Sequence, residues 1–358
     1  MISPSNYIQG QGELDNLGSY VGEFGRKALL VTSKSSRERV GVYLDRAMRN
    51  EPFEIVDGGF GRECTKDEIS RLTKIGADGD CNLVVGLGGG KAIDTAKAVS
   101  FHLGKPVIVV PTIASTDAPT SRLSIIYTAD GAFEEYFSLL RNPDLVLVDT
   151  GIIARAPVRF LVAGMGDALA TYFEVRSCMQ SDADNMSGGK STKAAFAIAT
   201  ACYQTLMEDS LKAKAACEAQ AVTIALENIV EANTLLSGLG FESSGLAAAH
   251  SIQNGLTALE ETHNCYHGEK VAFGVIVHLV LENSPIEELN KIFAYCKSVG
   301  LPTRLKDLRI AEVTEEKIMA VARAACAEGE TIHNMPVEIN PADVYGAILA
   351  ADRLGKVD

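Results

Sequence analysis

The chain is short of positive charge: 33 Lys and Arg stand against 46 Asp and Glu, a formal net charge of −13. That deficit argues against a nucleic-acid groove or an anionic membrane surface as the main partner. Cys-x-x-Cys pairs are missing as well. The eight cysteines (Cys64, Cys81, Cys178, Cys202, Cys217, Cys265, Cys296 and Cys326) are scattered, read as reduced thiols of a cytoplasmic protein, and lack the spacing of a structural zinc site. No apolar run reaches the roughly 20 residues that a membrane helix needs. The first residues, Met1 to Asn6, carry neither a basic region nor an apolar core, so no signal peptide is expected. Internal repeats and low-complexity segments are absent too. What is present is an ordinary globular composition, 47% hydrophobic and 22% charged, on 358 residues, enough for two domains with sizeable cores.

The most informative stretch is Gly86-Leu87-Gly88-Gly89-Gly90-Lys91-Ala92-Ile93-Asp94. It follows a strand-like run, Asn82 to Val85, and opens into a helix-like one, Ala92 to Phe101. Consecutive glycines at a strand-to-helix turn leave backbone N–H groups bare, and the helix N-terminus adds about half a positive charge there. A phosphate is the expected guest, a plain tight turn the simpler alternative. Neither standard phosphate motif fits. A Walker loop needs Gly and Ser or Thr where Val85 and Ala92 stand, and the dinucleotide fingerprint begins at Gly86 and Gly88 but meets Lys91 instead of a third Gly.

Around this loop, strand-like and helix-like runs alternate. Lys27–Thr32, Phe53–Asp57, Asn82–Leu87 and Pro106–Val110 read as parallel strands, with helices over Ser36–Arg49, Thr65–Gly76 and Lys91–Phe101. Leu123–Thr128 and Glu134–Leu140 flank a hairpin signal, Ala129-Asp130-Gly131, and Asp144–Asp149 adds one more strand. This rhythm predicts a doubly wound, mainly parallel α/β domain, with ligands at the C-terminal ends of its strands. Thr150 to Pro157 reads as a hinge. Beyond it lie Ala-rich helical stretches such as Ser191–Asp209, Leu211–Leu236 and Ser244–Leu259, and one loop-like segment, Ser181–Lys190. The expected organisation is an α/β domain over 1–156 and an all-α domain over 157–358, with the active site in the cleft between them.

Three polar residues sit in apolar or small-residue surroundings in the second half. Asp167 lies within Gly164-Met165-Gly166-Asp167-Ala168-Leu169, where a buried carboxylate is costly unless capped, paired or bound to metal. His250 ends a run of small residues and His267 opens His267-Gly268-Glu269-Lys270. Each alone reads equally as a satisfied core or capping residue. Together, one carboxylate and two imidazoles match the ligand count of a catalytic zinc site with open positions. His263, four residues before His267, competes for that role, and His278 suits a supporting position; iron, nickel or manganese would fit the same donors.

With these residues assembled, the chain resembles the polyol branch of the iron-containing (type III) alcohol dehydrogenase family nearly end to end. The resemblance rests on Gly88 to Asp94, on Pro111 to Ser121 (PTIASTDAPTS), on Gly164 to Ala168 (GMGDA) and on Tyr266 to Gly274 (YHGEKVAFG). It implies a dehydroquinate synthase-like architecture with Asp167, His250 and His267 as zinc ligands. Gly88, Gly89, Gly90, Lys91 and Asp94 would form the pyrophosphate loop. Thr112, Ser115, Ser121, Leu123 and Tyr127 would line the nicotinamide side, and Asp117 would hydrogen-bond the polyol, an Asx turn being its alternative role.

The activity so implied is oxidation of a small polyol, glycerol to dihydroxyacetone, with NAD and one zinc or other divalent metal per subunit. It further implies a homo-oligomer, often an octamer. A hydroxybutyrate or other 2-hydroxy-acid or secondary-alcohol dehydrogenase on the same scaffold is the alternative. A phosphorylated substrate would want a cluster of Lys and Arg near the metal, and only Lys270 is close in sequence. A regulatory protein that kept the fold and lost the chemistry is disfavoured by the intact Asp/His/His set. One departure stands out. Many relatives carry an Asp after the first strand for the adenosine ribose, whereas here Thr32 leads into Ser33-Lys34-Ser35-Ser36-Arg37, which leaves NADP open beside NAD.

Overall fold

The computed structural model describes residues 1–131 and 133–356; the last two positions of the expected C-terminal domain lie outside them. The chain forms two compact units. One comprises residues 3–158 and 216–235, the other residues 1–2, 159–215 and 236–358. The first boundary thus lies two residues from the expected one. The return of residues 216–235 to the first unit has no counterpart in the sequence reading.

The first unit is built on a six-stranded parallel sheet of order β1-β8-β5-β4-β2-β3. Its strands are β1 (Asn6–Gly10), β2 (Lys27–Val31), β3 (Glu54–Asp57), β4 (Leu83–Gly88), β5 (Val107–Pro111) and β8 (Leu145–Asp149), while β6 (Leu123–Tyr127) and β7 (Phe133–Ser138) form a separate antiparallel hairpin. The central strands are continuous apolar runs because helices cover both faces. Leu30, Val85, Val110 and Leu147 point to one face and join Leu17, Val40 and Leu44 in a single core. Those partners come from α1 (Leu17–Phe24) and α2 (Lys34–Asn50). On the other face, Gly76 of α3 (Lys66–Asp78) approaches Leu29, and Gly86 lets Ala96 of α4 (Gly90–Leu103) rest on β4: a Cβ at Gly86 would lie 2.5 Å from that of Ala96. Each fully buried Val or Leu here contributes roughly 1.5–3 kcal/mol.

The helices begin where side chains can cap them. Thr65 accepts from the Glu68 amide at 3.1 Å to start α3, and Asp149 accepts from Gly151 and Ile152 to start the short α5 (Thr150–Ile153), which occupies the segment expected as a hinge. Such caps contribute about 1 kcal/mol each.

The second unit is helical: α6 (Val158–Gln180), α7 (Lys193–Glu218, whose end counts with the sheet unit), α9 (Ser237–Ser244), α10 (Ala248–Leu256), α11 (His267–Leu281), α12 (Ile286–Val299), α13 (Glu315–Ala325) and α14 (Pro341–Leu354). The run Leu211–Leu236, expected as one helix, is broken. Gln220 takes a positive φ of 54°, and Thr223 caps a new helix, α8 (Ile224–Glu231), which continues into a π-helical turn, Ala232–Leu236. α8 belongs to the sheet unit, where Gln9 Nε2 donates to the Glu227 carbonyl at 2.9 Å and Thr150 Oγ1 to Glu227 Oε1 at 2.7 Å. The doubly wound α/β plus all-α architecture is as expected. Among the described residues, no helix is long and apolar enough to cross a membrane, and all eight cysteines are free thiols.

Candidate active site

The helical unit brings Asp167, His250 and His267 together from three helices. Two glycine contacts make this possible. α6 and the start of α11 touch backbone to backbone: a Cβ on Gly268 would sit 1.8 Å from the Ala163 carbonyl oxygen, and one on Gly166 would sit 2.3 Å from the Gly268 carbonyl oxygen. α10 and α11 touch in the same way, with a Cβ on Gly274 only 2.3 Å from the Ala249 carbonyl oxygen. The glycines flanking Asp167 and His267 in sequence are therefore what let those side chains meet.

Asp167 Oδ1 lies 3.0 Å from His267 Nε2 and 3.4 Å from His250 Nε2, and the three donor atoms all fall within 4.8 Å of one another. The Asp167 and His250 side chains are 1% and 13% exposed, while that of His267 is 39% exposed, so the cluster is closed on one side and open on the other. Donor atoms bonded to one tetrahedral or octahedral ion at about 2.1 Å stand about 3.0–3.4 Å apart. The residues present fit a divalent cation.

Glu174, two turns beyond Asp167 on α6, completes the arrangement. Its Oε1 accepts from the amides of Ala247 and His250 at 2.9 and 3.0 Å, holding the first turn of α10, and its Oε2 accepts from His250 Nδ1 at 2.6 Å. An ionised carboxylate can only accept, so Nδ1 carries the proton and Nε2 is the nitrogen turned toward Asp167. Burial alone would push the Asp167 and Glu174 carboxyls up. For Asp167 the facing imidazoles of His267 and His250 outweigh it, and for Glu174 that of His250 does, so both carboxyls are held below their ordinary range. Burial would likewise push His250 down, but Glu174 and Asp167 hold it well above 6.5.

His263 and His278 stay apart from this cluster. His263 is exposed in a 3₁₀ turn with Nε2 at 3.0 Å from the Thr257 carbonyl oxygen, whereas His278 is buried with Nε2 at 3.0 Å from Ser177 Oγ.

In the sheet unit, β4 ends at Gly88 and α4 begins after Gly89, which caps the helix with no side chain. Gly88 has φ 157°, and a Cβ there would lie 3.0 Å from that of Ala92. The Ala92 and Ile93 amides donate to the Gly89 carbonyl at 3.1 Å, and the amides of Gly90 and Lys91 before them are the first-turn donors that an anion seat would use. Lys91 Nζ lies 2.5 Å from Glu63 Oε2 and 5.2 Å from the centre of the Tyr127 ring. Thr112 is tied to the loop, its amide donating to the Gly88 carbonyl at 2.9 Å.

Asp94, taken from the sequence as a member of the pyrophosphate loop, is turned inward. Its carboxylate is buried, 2.9 Å from Lys97 Nζ, and accepts from the Ile125 amide at 3.2 Å. Lys97, itself buried, also donates to the carbonyls of Ala118 (2.9 Å), Ser121 (3.2 Å) and Leu123. The pair holds the turn that carries Ser121 and Leu123 and follows Asp117. From the other end of the unit, Asn233 Nδ2 donates to the Ala114 carbonyl at 3.0 Å and Thr120 Oγ1 to that of Thr234 at 2.8 Å. Ser115, Asp117, Leu123 and Tyr127 remain partly exposed and Ser121 is buried, its Oγ accepting from the Leu123 amide at 3.4 Å.

Glu174, Lys97 and Asn233 have no place in the sequence reading. A second carboxylate seven residues after Asp167, on the same helical face, and a lysine three after Asp94 were the available signals.

An anion seat on a parallel sheet, with a carboxylate and two imidazoles gathered on helices, defines a class, and comparison with known proteins agrees. The chain belongs to the iron-containing alcohol dehydrogenase family of oxidoreductases, whose profile matches residues 4–150. It is 50% identical to glycerol dehydrogenase of Citrobacter freundii over 99% of this chain and 97% of that one. Against glycerol dehydrogenase of Thermotoga maritima the identity is 49%, with the same coverage. The solved structure of a probable glycerol dehydrogenase from Sinorhizobium meliloti superimposes with a TM-score of 0.95 at 46% identity, covering 100% of this chain and 99% of that one. The family resemblance read from the sequence holds.

Proposed function

We propose that this protein oxidises a small polyol, glycerol to dihydroxyacetone, with NAD as electron acceptor and one divalent metal ion, zinc, per chain. The observation that carries the reading is the convergence of Asp167, His250 and His267 at 3.0 and 3.4 Å, backed by Glu174 at 2.6 Å. When bound, the ion supplies Lewis acidity toward an alcohol oxygen and the oxidised nicotinamide supplies the hydride acceptor. Asp167, His250 and His267 would hold the ion, three protein donors leaving room for substrate oxygens. Glu174 keeps the proton on His250 Nδ1, so that Nε2 stays available.

Gly88, Gly89 and Gly90, with the N-terminus of α4, would seat the pyrophosphate. Thr112, Ser115, Ser121, Leu123 and Tyr127 would line the nicotinamide side, and Asp117 would accept a hydrogen bond from a polyol hydroxyl. Asp94 and Lys97 serve this reading indirectly, by holding the turn on which the nicotinamide-side residues sit. Oxidation removes a hydride from carbon and a proton from oxygen; the proton leaves through water. A homo-oligomer, octameric in the form the resemblance implies, and a cytoplasmic setting belong to the same reading, and size-exclusion chromatography tests the first of these.

The test is chelation followed by metal return, read as NADH absorbance with glycerol, 1,2-propanediol, hydroxybutyrate and glycerol phosphate. Activity should vanish without metal, return with zinc, and be greatest with the unphosphorylated polyols. Turnover that survives complete metal removal refutes the scheme, and a preference for hydroxybutyrate replaces the substrate.

A further inference from the structure

Beside the pyrophosphate seat lies a pocket with no role so far. It opens at the C-terminal ends of β2 and β3, measures about 460 Å³, and is lined in part by Thr32, Lys34, Arg37, Asp57 and Arg71. A dinucleotide seated on the β4–α4 turn would reach it. Thr112 and its neighbours follow β5 on one side of β4, so the adenosine half falls on the other side, over β2. The two places adjoin: a Cβ on Gly88 would stand 3.8 Å from Ser36 Oγ, in the first turn of α2.

The chemistry of this pocket suits a dianion. Thr32 is 2% exposed, and its Oγ1 is buried with no hydrogen-bond partner among the described residues; the same holds for Nη1 of Arg37. Lys34 is exposed at the first position of α2, where the helix adds unpaired amides. The other charges are already engaged. Arg71 is held by Glu68 and by the carbonyls of Gly58 and Gly59, and Asp57 Oδ1 accepts from the Gly59 amide at 3.0 Å. The residue that follows Thr32, where a carboxylate would accept from a ribose 2′-hydroxyl and repel a 2′-phosphate, is Ser33. Its hydroxyl accepts from the Ser36 amide at 3.2 Å and caps α2. Two carboxylates, Asp57 and Glu68, also line the pocket, but Glu68 is paired with Arg71 and Asp57 takes the Gly59 amide, so the side chains with open valences are the two cations Lys34 and Arg37 and the Thr32 hydroxyl.

We propose that this pocket receives the adenosine 2′-phosphate of NADP, so that the protein binds NADP(H) as well as NAD(H). The inference rests on the dinucleotide-dependent reading above and deepens it. Arg37 supplies a planar guanidinium suited to phosphate, Lys34 a mobile point charge, and Thr32 a hydroxyl donor.

Fluorescence titration of the purified protein with NADH and NADPH tests this without turnover. NADPH should bind within about tenfold of NADH. The Lys34→Ala/Arg37→Ala double variant should weaken NADPH at least about tenfold more than NADH. Ser33→Asp, which keeps a good helix cap and so the fold, should do the same by charge repulsion alone. The ligand 2′,5′-ADP should compete with NADPH far better than inorganic phosphate at equal concentration; equal competition would reduce the pocket to a phosphate site and overturn the assignment. NADH binding with NADPH more than about a hundredfold weaker, or equal losses for both in the variants, overturns the inference and leaves the dehydrogenase reading standing. Failure to bind either dinucleotide overturns both.

Discussion

In the sheet unit, Gly88 to Gly90 leave a strand-to-helix turn without side chains, and the role proposed for that turn is to seat a ligand. In the helical unit, Gly166, Gly268 and Gly274 keep side chains away from carbonyl oxygens, and the vacated space is filled by another helix. The first unit would hold its guest largely with main chain, on one strand-to-helix turn. The second would hold its guest with three side chains that lie 83 and 17 residues apart and meet only because the helices touch. A glycine run is therefore no single signal. Its meaning depends on whether a strand end or a helix crossing surrounds it.

The contrast can be broken most forcefully at Asp167. Asp167→Ala should leave metal content near zero by elemental analysis and lower kcat/KM by on the order of 10³-fold, the scale of a few kcal/mol of lost charge stabilisation. NADH binding to the sheet unit should change less than about threefold, well under 1 kcal/mol; a large loss would deny that the two sites are built separately.

Paired glycine variants come next. Gly268→Ala places a methyl 1.8 Å from the Ala163 oxygen and should cost about 3 kcal/mol or more in denaturant unfolding. Gly90→Ala meets Thr116 Oγ1 at an ordinary 3.7 Å and should leave stability nearly unchanged while weakening NADH about tenfold. Equal stability losses in the two would erase the distinction.

Glu174→Gln has the next largest effect. An amide keeps the shape and can still accept from the Ala247 and His250 amides, but its NH₂ in place of Oε2 can no longer take the Nδ1 proton. Metal affinity should fall about 10–100-fold by competition with a chromophoric chelator, while the metal-free melting temperature holds. A drop in that melting temperature with unchanged affinity would make Glu174 a purely structural residue.

The smallest effect is confined to acid. Burial would raise the Glu282 carboxyl, but His278, Ser284 and Arg176 bring it down to about 2. A carboxyl depressed on folding stabilises the protein above its unfolded value, near 4.5, and that stability drains away as pH falls toward about 2. Glu282→Gln should flatten the loss of stability across that window by on the order of 2 kcal/mol. An unchanged acid limb would show that the ion pairs of Glu282 are idle.

What was legible in the sequence follows the same divide. The strands β2, β4, β5 and β8 are unbroken apolar runs buried on both faces, so their pattern survives without context. β1 was missed because Asn6–Gly10 is a half-exposed edge strand whose partner, Leu145–Asp149, lies some 140 residues on. Asp167, His250 and His267 were visible as polar residues in apolar surroundings, but spacing left His263 open beside them. Only the 3₁₀ turn, which spends its imidazole on the Thr257 carbonyl, separates it from the cluster. Asp94 was placed in the pyrophosphate loop by the family resemblance. Its inward rotation onto Lys97 follows from the register of α4, one turn past Gly90, where the helix faces the interior. Ala216–Leu235 was assigned to the helical half because nothing local in an Ala-rich helix says which core it will join.

That last segment has a consequence for synthesis. Residues emerge from the ribosome in order, and domains generally fold as they emerge. Here the sheet unit cannot finish when Val158 appears. It must wait until Glu227, Asn233 and Thr234 arrive to fasten Gln9, Thr150 and the loop at Ala114, after all of α6 and α7 has been made. A nascent chain stalled between residues 160 and 215 therefore carries an unfinished sheet unit, and a truncation at the apparent hinge would not release a self-sufficient domain.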